Sequence, residues 1–321
     1  MKIKEICEIS SRGILFTYEF GDSVYLINTQ DKLILCDTSE GKKEMEYVKQ
    51  YIKDKEISHK PLFIFNSHSD WDHIRGNDSF INPYIIGHTT CRERIKERAD
   101  LDLEIFPHSP DNNIEIKLPN ITFQERLVFE EDDIEFIYTP GHTVCSATCY
   151  DHKDKVMYVG DLMEYPIPVI NSLYLEAYIQ SLETIKRLSP QIIITSHSKI
   201  VSNDLIDKHI NYLQDVLSGK YLTSISEIAP IRHGLNLKNL LILKYDEKVK
   251  EKLGYQFEYK SYKLHLWDYI STKHKFQYKQ LWDISDISIH DLKQDLEEYL
   301  ENIQENSELY YRKSNQQDQW S

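Results

Sequence analysis

Residues 61–73 read PLFIFNSHSDWDH, and this stretch decides both the fold class and the place of the site. Its first five residues form a continuous apolar run of strand length, which is typical of a strand covered on both faces. The residues that follow supply His68, Asp70, Asp72 and His73. The stretch therefore predicts a buried strand that ends in a cluster of side chains able to bind metal ions.

Three further strand-like runs end in residues of the same types. His142 follows the run IEFIY, Asp161 follows VMYV and His197 follows QIIIT. Because ligands collect at strand ends in α/β sheets, we expect these side chains to meet the first cluster at one edge of the fold. A lone histidine after a strand is more often an ordinary loop residue. Four strand ends that all carry such residues favour a metal site instead.

The residue types indicate the kind of metal. Neutral imidazole suits Zn and Fe, and carboxylates suit harder ions or mixed sites. Alternate side chains of an extended segment project together, so residues 68–73 can serve two adjacent centres. Asp161 is then left to bridge two cations.

The wider pattern predicts an α/β layered body. Two apolar runs within residues 22–36, separated by a polar turn, predict a hairpin. Apolar residues repeat every three or four positions over residues 39–53 and 174–188, which predicts amphipathic helices. We therefore predict a domain over residues 1–220 and a smaller accessory domain over residues 221–321.

These motifs resemble those of the metallo-β-lactamase fold hydrolases, over roughly residues 10–215. The family carries a His-x-His-x-Asp-His turn, which residues 68–73 match except that Asp70 stands at the second histidine. Thr139-Pro140-Gly141-His142-Thr143 and Val159-Gly160-Asp161 match closely. Ser196-His197-Ser198 takes the place of the usual Gly-His-Gly.

The resemblance implies an αββα sandwich with two metal ions at its edge. One ion would be bound by His68, Asp70 and His142, the other by Asp72, His73 and His197, with Asp161 between them. Carboxylate in place of imidazole at Asp70 adds a negative charge and favours harder ions. Zinc is the first expectation, with iron and manganese as alternatives.

The function expected from this site is hydrolysis. Two divalent ions can supply a bridging hydroxide that cleaves an ester, thioester, lactone or amide, with Asp72 holding or accepting the proton. A rival interpretation is a diiron oxidoreductase that reduces O₂ or NO, because diiron proteins of this fold carry a carboxylate at the position of Asp70. A third is a binding protein whose metals are structural.

Residues 221–321 show a different pattern of strand-like and helix-like segments from the first 220 residues. Strand-like residues 240–244 and 255–259 precede helix-like residues 264–270 and 276–282, and a last helix starts near Asp291. This order predicts a small α+β domain that is winged-helix-like. It loosely resembles peptide-recognition domains of ribosomal peptide maturation, which bind a leader peptide by strand addition. A peptide substrate and a role in such maturation are therefore alternatives. A helical lid or a homodimer contact is the simpler interpretation.

Composition excludes several classes of partner. The chain has 321 residues, 38 Lys+Arg and 52 Asp+Glu, and a net charge of −14 argues against a nucleic-acid binder. No uncharged apolar run approaches the length of a membrane span, and the N-terminus lacks a secretory signal. The odd number of cysteines, 5, favours free thiols. We expect a cytoplasmic protein.

Overall fold

The computed structural model describes residues 2–106, 114–220, 229–275 and 284–303. The described residues fold into two compact units. Residues up to 96 and from 114 to 220 form the first unit, and residues 97–106 with those from 229 onward form the second. No helix of the described residues is both long enough and apolar enough to cross a membrane.

A seven-stranded sheet forms one layer of the first unit, with its strands side by side in chain order. The strands are β1 (Ile3–Ile9), β2 (Gly13–Tyr18), β3 (Ser23–Asn28), β4 (Leu33–Cys36), β5 (Leu62–Phe65), β6 (Tyr84–His88) and β7 (Ile121–Phe123). The first four pair antiparallel, and β4 to β7 pair in parallel. The predicted hairpin is therefore β3–β4, and the run that opens the site motif is β5.

A six-stranded sheet forms the second layer, in the order β13-β12-β11-β10-β9-β8. Its strands are β8 (Arg126–Phe129), β9 (Ile134–Tyr138), β10 (Ala147–Asp151), β11 (Val156–Tyr158), β12 (Ile192–Thr195) and β13 (Lys199–Val201). Only β11 and β12 pair in parallel. The three strands that precede His142, Asp161 and His197 all belong to this sheet.

The two sheets pack face to face around one apolar core. Tyr25, Cys36 and Phe65 of the first sheet share this core with Phe136 and Tyr158 of the second. Phe65 and Phe136 approach to 4.9 Å between ring centroids, a distance usual for packed aromatic side chains. The site motif therefore leaves the end of β5 directly above a closely packed core.

Helices cover the outer faces of the sandwich. α1 (Lys42–Asp54) buries Met45, Val48 and Ile52 against β2, β3 and β4. α4 (Leu175–Leu188) and α5 (Asp204–Leu217) bury apolar stripes next to the second sheet, where all of β10 is buried. The layers give the αββα sandwich that the sequence resemblance implies. The remaining helices of this region are the four-residue α2 (Trp71–Ile74) and α3 (Thr89–Ile105).

The described part of the C-terminal region is helical, which corrects the α+β expectation. α6 (Ala229–Leu253), α7 (Tyr259–His274) and α8 (Ile289–Asn302) surround a second apolar core. Residues 240–244, expected to be a strand, lie inside α6. Residues 255–259 run from a 3-10 turn through two irregular residues to the first residue of α7. The predicted helix over residues 264–270 lies within α7, the one from Asp291 is α8, and residues 276–282 lie outside the described residues.

The incorrect prediction of a strand over residues 240–244 has a simple physical cause. A short apolar run such as LLIL does not by itself separate a strand from a buried helix. The wider spacing does: Ile242, Tyr245, Val249 and Leu253 are all buried and recur at three and four residues. That spacing places one apolar stripe along a helix, so the winged-helix-like hairpin does not form.

Candidate metal centre

The end of β5 carries four of the predicted site residues. His68 follows the strand after two residues, and Asp70 starts the short helix α2 in extended conformation. The helix reverses the direction of the chain, so that Asp72 and His73 return toward His68. The imidazole rings of His68 and His73 lie 4.0 Å apart between centroids.

The ends of three strands of the other sheet supply the remaining residues. His142 lies in the loop after β9, Asp161 follows β11, and His197 follows β12. His142 packs edge-on against His68 at 5.0 Å, and His197 packs edge-on against His73 at 5.4 Å. All seven predicted side chains therefore come together where the two sheets end.

The seven side chains form two groups that share one carboxylate. Asp70 Oδ2 lies 3.7 Å from His68 Nε2 and 3.5 Å from His142 Nε2. Asp72 Oδ2 lies 3.7 Å from His73 Nε2 and 3.4 Å from His197 Nε2.

Asp161 lies between the two groups. Its Oδ2 is between 3.3 and 3.8 Å from the Nε2 atoms of all four histidines, with the shortest distance to His197. Each group then offers two imidazole nitrogens, one carboxylate of its own and a share of Asp161. This donor set fits two adjacent divalent cations.

Unsatisfied buried atoms test this fit independently. The Nε2 atoms of His68, His73 and His142, and Oδ1 of Asp161, are buried and have no hydrogen-bond partner. Buried polar atoms are otherwise almost always paired, because leaving them unpaired costs free energy. These atoms cluster around one point, as the ligand atoms of a metal ion must. Coordination to an ion there would satisfy them.

The Nδ1 atom of each histidine, its outer nitrogen, points away from the cluster and already has a hydrogen-bond partner. His73 Nδ1 lies 2.8 Å from Asp37 Oδ2, and His197 Nδ1 lies 2.8 Å from Asp22 Oδ1. His68 Nδ1 contacts the Ser67 hydroxyl, and His142 Nδ1 contacts the Val169 carbonyl oxygen, at 3.0 and 3.1 Å. Such contacts fix the ring orientation and leave Nε2 facing the ligand, as is usual for histidines that bind metals.

Asp37 organises one side of this arrangement. Its carboxylate accepts hydrogen bonds from the backbone N–H and hydroxyl of Ser67 and from the hydroxyl of Tyr158, besides its contact with His73. The sequence shows Asp37 only as an acid after a strand. The sequence gives no indication that Asp22 supports His197, because the two residues lie 175 positions apart.

Gly160 allows the strand end that carries Asp161 to approach β5. Its φ is +55°, a conformation that favours glycine, and a Cβ atom there would lie 2.4 Å from the Ser67 hydroxyl oxygen. Steric crowding therefore explains why a glycine precedes Asp161. Any side chain would push Asp161 away from His68.

Charge is unevenly distributed within the cluster. Burial lowers the pKa of His68 to about 4. Burial also favours neutral His142, but Asp70 and Asp161 outweigh it and raise the pKa of that imidazole to about 9. Burial opposes ionisation of Asp161 as well, yet His197 and His73 hold its pKa well below the ordinary value. Without metal, the carboxylates therefore hold protons on neighbouring imidazoles.

A further acidic residue, Glu40, lies near the cluster and was not identified from the sequence. Burial raises the pKa of Glu40 to about 7, with smaller contributions from the charges of Asp22 and Asp72. Glu40 lies in the loop between β4 and α1, outside any recognised motif. Only the folded structure brings its charge near the cluster.

Comparison with known proteins adds a family and a fold. The family model described as "Metallo-beta-lactamase superfamily" matches residues 17–197. A comparison with curated protein sequences finds no match.

Solved structures with a similar fold include three metallo-beta-lactamases. The one from Hirschia baltica has 14% identity and a TM-score of 0.52, and covers 66% of this chain and 98% of its own. The one from Pontibacter korlensis has 17% identity and a TM-score of 0.52, covering 67% and 100%. FIM-1 from Pseudomonas aeruginosa, in its mono-zinc form, has 13% identity and a TM-score of 0.52, covering 67% and 96%. At such identities the likeness concerns the fold alone.

Proposed function

Because this chain belongs to the metallo-beta-lactamase superfamily, we propose that it is a dimetal hydrolase acting on an ester, thioester, lactone or amide. The observation that carries the proposal is the shared position of Asp161 among four imidazole nitrogens, three of them buried and without a partner. Members of the superfamily are mostly hydrolases. The specific bond is part of the proposal.

The two groups of side chains define which residues would hold each ion. One ion would be bound by His68, Asp70 and His142, and the other by Asp72, His73 and His197, with Asp161 shared. Two bound divalent ions would supply a hydroxide near neutral pH and polarise the acyl oxygen. Zinc fits four imidazoles, and the three carboxylates also make iron or manganese suitable.

Asp72 is the residue we assign to proton handling. Its side chain is 22% exposed, whereas Asp161 is 8% exposed. A proton can therefore pass from Asp72 to solvent without crossing the buried part of the cluster. Asp72 also lies 3.4 Å from His197 Nε2, on the more open side of the site.

The test combines metal analysis with an activity panel. Purified full-length protein should contain close to two equivalents of zinc, iron or manganese, and should cleave at least one compound of an ester, thioester, lactone and amide panel. Asp161→Asn should lower both metal content and turnover, because the shared oxygen then carries no charge. Stoichiometric metal without turnover across the panel would contradict the proposal.

A second candidate, a diiron oxidoreductase that reduces O₂ or NO, is favoured by one observation. Asp70 lies within the first group, 3.5 Å from His142 Nε2, and accepts a hydrogen bond from Asn171 at 3.3 Å. A carboxylate there suits iron. Two equivalents of iron after aerobic purification, with reductant-dependent O₂ consumption and no hydrolysis, would select this alternative.

Partners and location remain expectations from the sequence. We propose a small-molecule or peptide substrate and a cytoplasmic location, with a homodimer as an open alternative. The strand-addition surface expected of the C-terminal region is not present among its described residues, which are helical. The peptide-maturation role therefore has no structural support from a hairpin.

A further inference from the structure

Two buried asparagines close the base of the ligand loop, residues 67–76, which carries four of the seven predicted metal-binding side chains. Asn66 lies directly before this loop and Asn77 directly after it. Nδ2 of Asn77 donates to Oδ1 of Asn66 at 2.9 Å, and Nδ2 of Asn66 donates to Oδ1 of Asn77 at 3.2 Å. Both residues are fully buried, so water does not compete for these hydrogen bonds. The asparagine pair therefore joins the two ends of the ligand loop.

Thr38 connects the ligand loop to the end of β4. Its backbone N–H donates to the carbonyl oxygen of His73 at 2.8 Å. Its hydroxyl lies 3.0 Å from the same oxygen and 2.9 Å from Asn77 Oδ1, and can donate its proton to either. Thr38 is itself fully buried. One residue therefore contacts both the backbone at His73 and the asparagine pair.

The turn that contains Thr38 has an unusual backbone conformation. Asp37 and Ser39, on either side of it, have φ angles of +59° and +56°. Residues other than glycine seldom adopt this left-handed conformation, and they keep it where the surrounding contacts determine it. Asp37 contacts Nδ1 of His73 at 2.8 Å. Two consecutive residues of the turn therefore hold His73, Asp37 by its ring and Thr38 by its backbone.

The turn and the ligand loop are also closely packed. A Cβ atom at Gly76 would lie 2.0 Å from the carbonyl oxygen of Thr38, so a glycine is needed for this approach. Asn77 Nδ2 donates in addition to the carbonyl oxygen of Lys117 at 3.2 Å. Buried polar groups that are joined in such a network hold the backbone rigidly. Contacts within the protein therefore keep the ligand loop in shape.

From these contacts we propose that Thr38, Asn66 and Asn77 are positioning residues of the candidate metal centre. They hold the ligand loop in the shape that brings His73 to its metal ion, and they act through His73 and not by contact with the ion. A site that is ordered in advance binds more tightly, because binding then pays no ordering cost. The inference rests on the proposed function for the presence of two metal ions, and adds the residues that determine how tightly one ion is bound.

Two substitutions of Thr38 separate its hydroxyl from its methyl group. Thr38→Val removes the hydroxyl at nearly constant volume, and Thr38→Ser keeps the hydroxyl and removes the methyl. Thr38→Val should fold, because the carbonyl of His73 keeps the backbone N–H at position 38 as a donor, and Asn77 Oδ1 keeps Asn66. Thr148→Val makes the same change at a buried position of β10 and is the matched control.

Cobalt(II) titrations of the metal-free full-length protein, followed by visible absorption, measure the affinity for each ion. Thr38→Val should weaken the binding of one ion about tenfold and alter its absorption bands, as expected when the support of a metal-binding histidine is lost. His73→Ala removes the ligand itself and identifies which ion this is. Thr38→Ser and Thr148→Val should bind both ions as the parent protein does.

Thermal melts of the metal-free proteins distinguish positioning from a general effect on stability. Thr38→Ser should melt at a lower temperature, because a buried methyl group is lost, and yet keep its affinity for cobalt. If the residue served stability alone, affinity would follow the melting temperature, and Thr38→Ser would bind cobalt weakly. That result, parental affinity in Thr38→Val, or a Thr38→Val protein that does not fold would each overturn the proposal.

Cobalt binding needs no turnover, so the outcomes for this inference and for the proposed function are separable. If Thr38→Val weakens binding and no compound of the hydrolysis panel is cleaved, the positioning role stands and hydrolysis fails. If the panel is cleaved and Thr38→Val binds cobalt as the parent does, hydrolysis stands and the positioning role fails.

Discussion

At the scale of single residues, side chains from distant parts of the chain hold the histidines of the cluster in place. All seven predicted side chains meet in space, because each lies in a segment that follows a strand and strand ends converge at one edge of a sandwich. Asp22 and the Val169 carbonyl, which hold outer nitrogens of His197 and His142, could not be predicted. Their roles depend on long-range packing that leaves no local pattern.

Asp22 gives the first prediction at this scale. Asp22→Ala removes the carboxylate that orients His197, so metal affinity should fall about 10–100-fold, as for other supports of metal-binding histidines. Competition with a chelator measures this. Asp31→Ala, in the exposed turn between β3 and β4, is the matched control and should have no effect. Unchanged affinity in Asp22→Ala would contradict the role of Asp22 in orienting His197 for metal binding.

The acid–base state of His142 gives the second prediction. Its pKa is raised to about 9 without metal, so at pH 7 the imidazole carries a proton that a metal ion must displace. Metal binding should therefore release protons, and affinity should fall as the pH is lowered from about 9 toward 6. Calorimetric titrations in buffers of different ionisation enthalpy measure the release. Proton release that is absent at pH 7 would contradict the assignment.

At the scale of elements, the strands of the sandwich were easier to predict than the C-terminal helices. Buried strands such as β5 and β12 stand out as short apolar runs with polar ends. The run at residues 240–244 looks the same locally and yet lies within a helix of 25 residues. The start of α8 is marked by a local interaction, since the Ser288 hydroxyl accepts a hydrogen bond from the backbone N–H of Asp291.

That cap supports a prediction about α8. Ser288→Ala should lower the free energy of unfolding of the C-terminal unit by about 1 kcal/mol, and Ser288→Gly by only a few tenths. Urea unfolding followed by circular dichroism measures both. A Ser288→Ala protein with an unchanged midpoint would mean that the end of α8 is stabilised by other contacts.

At the scale of the whole molecule, the question is whether the metals serve chemistry or hold the fold together. The sheets share an extensive apolar core, and Asp72 lies outside it and is partly exposed. Asp72→Ala should therefore keep a melting temperature within a few degrees of the parent protein while lowering turnover at least about a hundredfold. Thermal melts of both proteins, with and without added metal, make the comparison. A variant that unfolds at room temperature would indicate structural metals.

The helix α3 has a practical consequence for anyone who divides this protein into pieces. Its last turns belong to the second compact unit, where Glu104 pairs with Lys260 at 3.2 Å and Arg98 lies over the ring of Tyr259 at 5.5 Å. A truncated product that stops at residue 220 would leave these turns in water, so it should aggregate on concentration while the full-length product stays dispersed in light scattering. Gene boundaries drawn from chain order alone would thus separate segments that fold together.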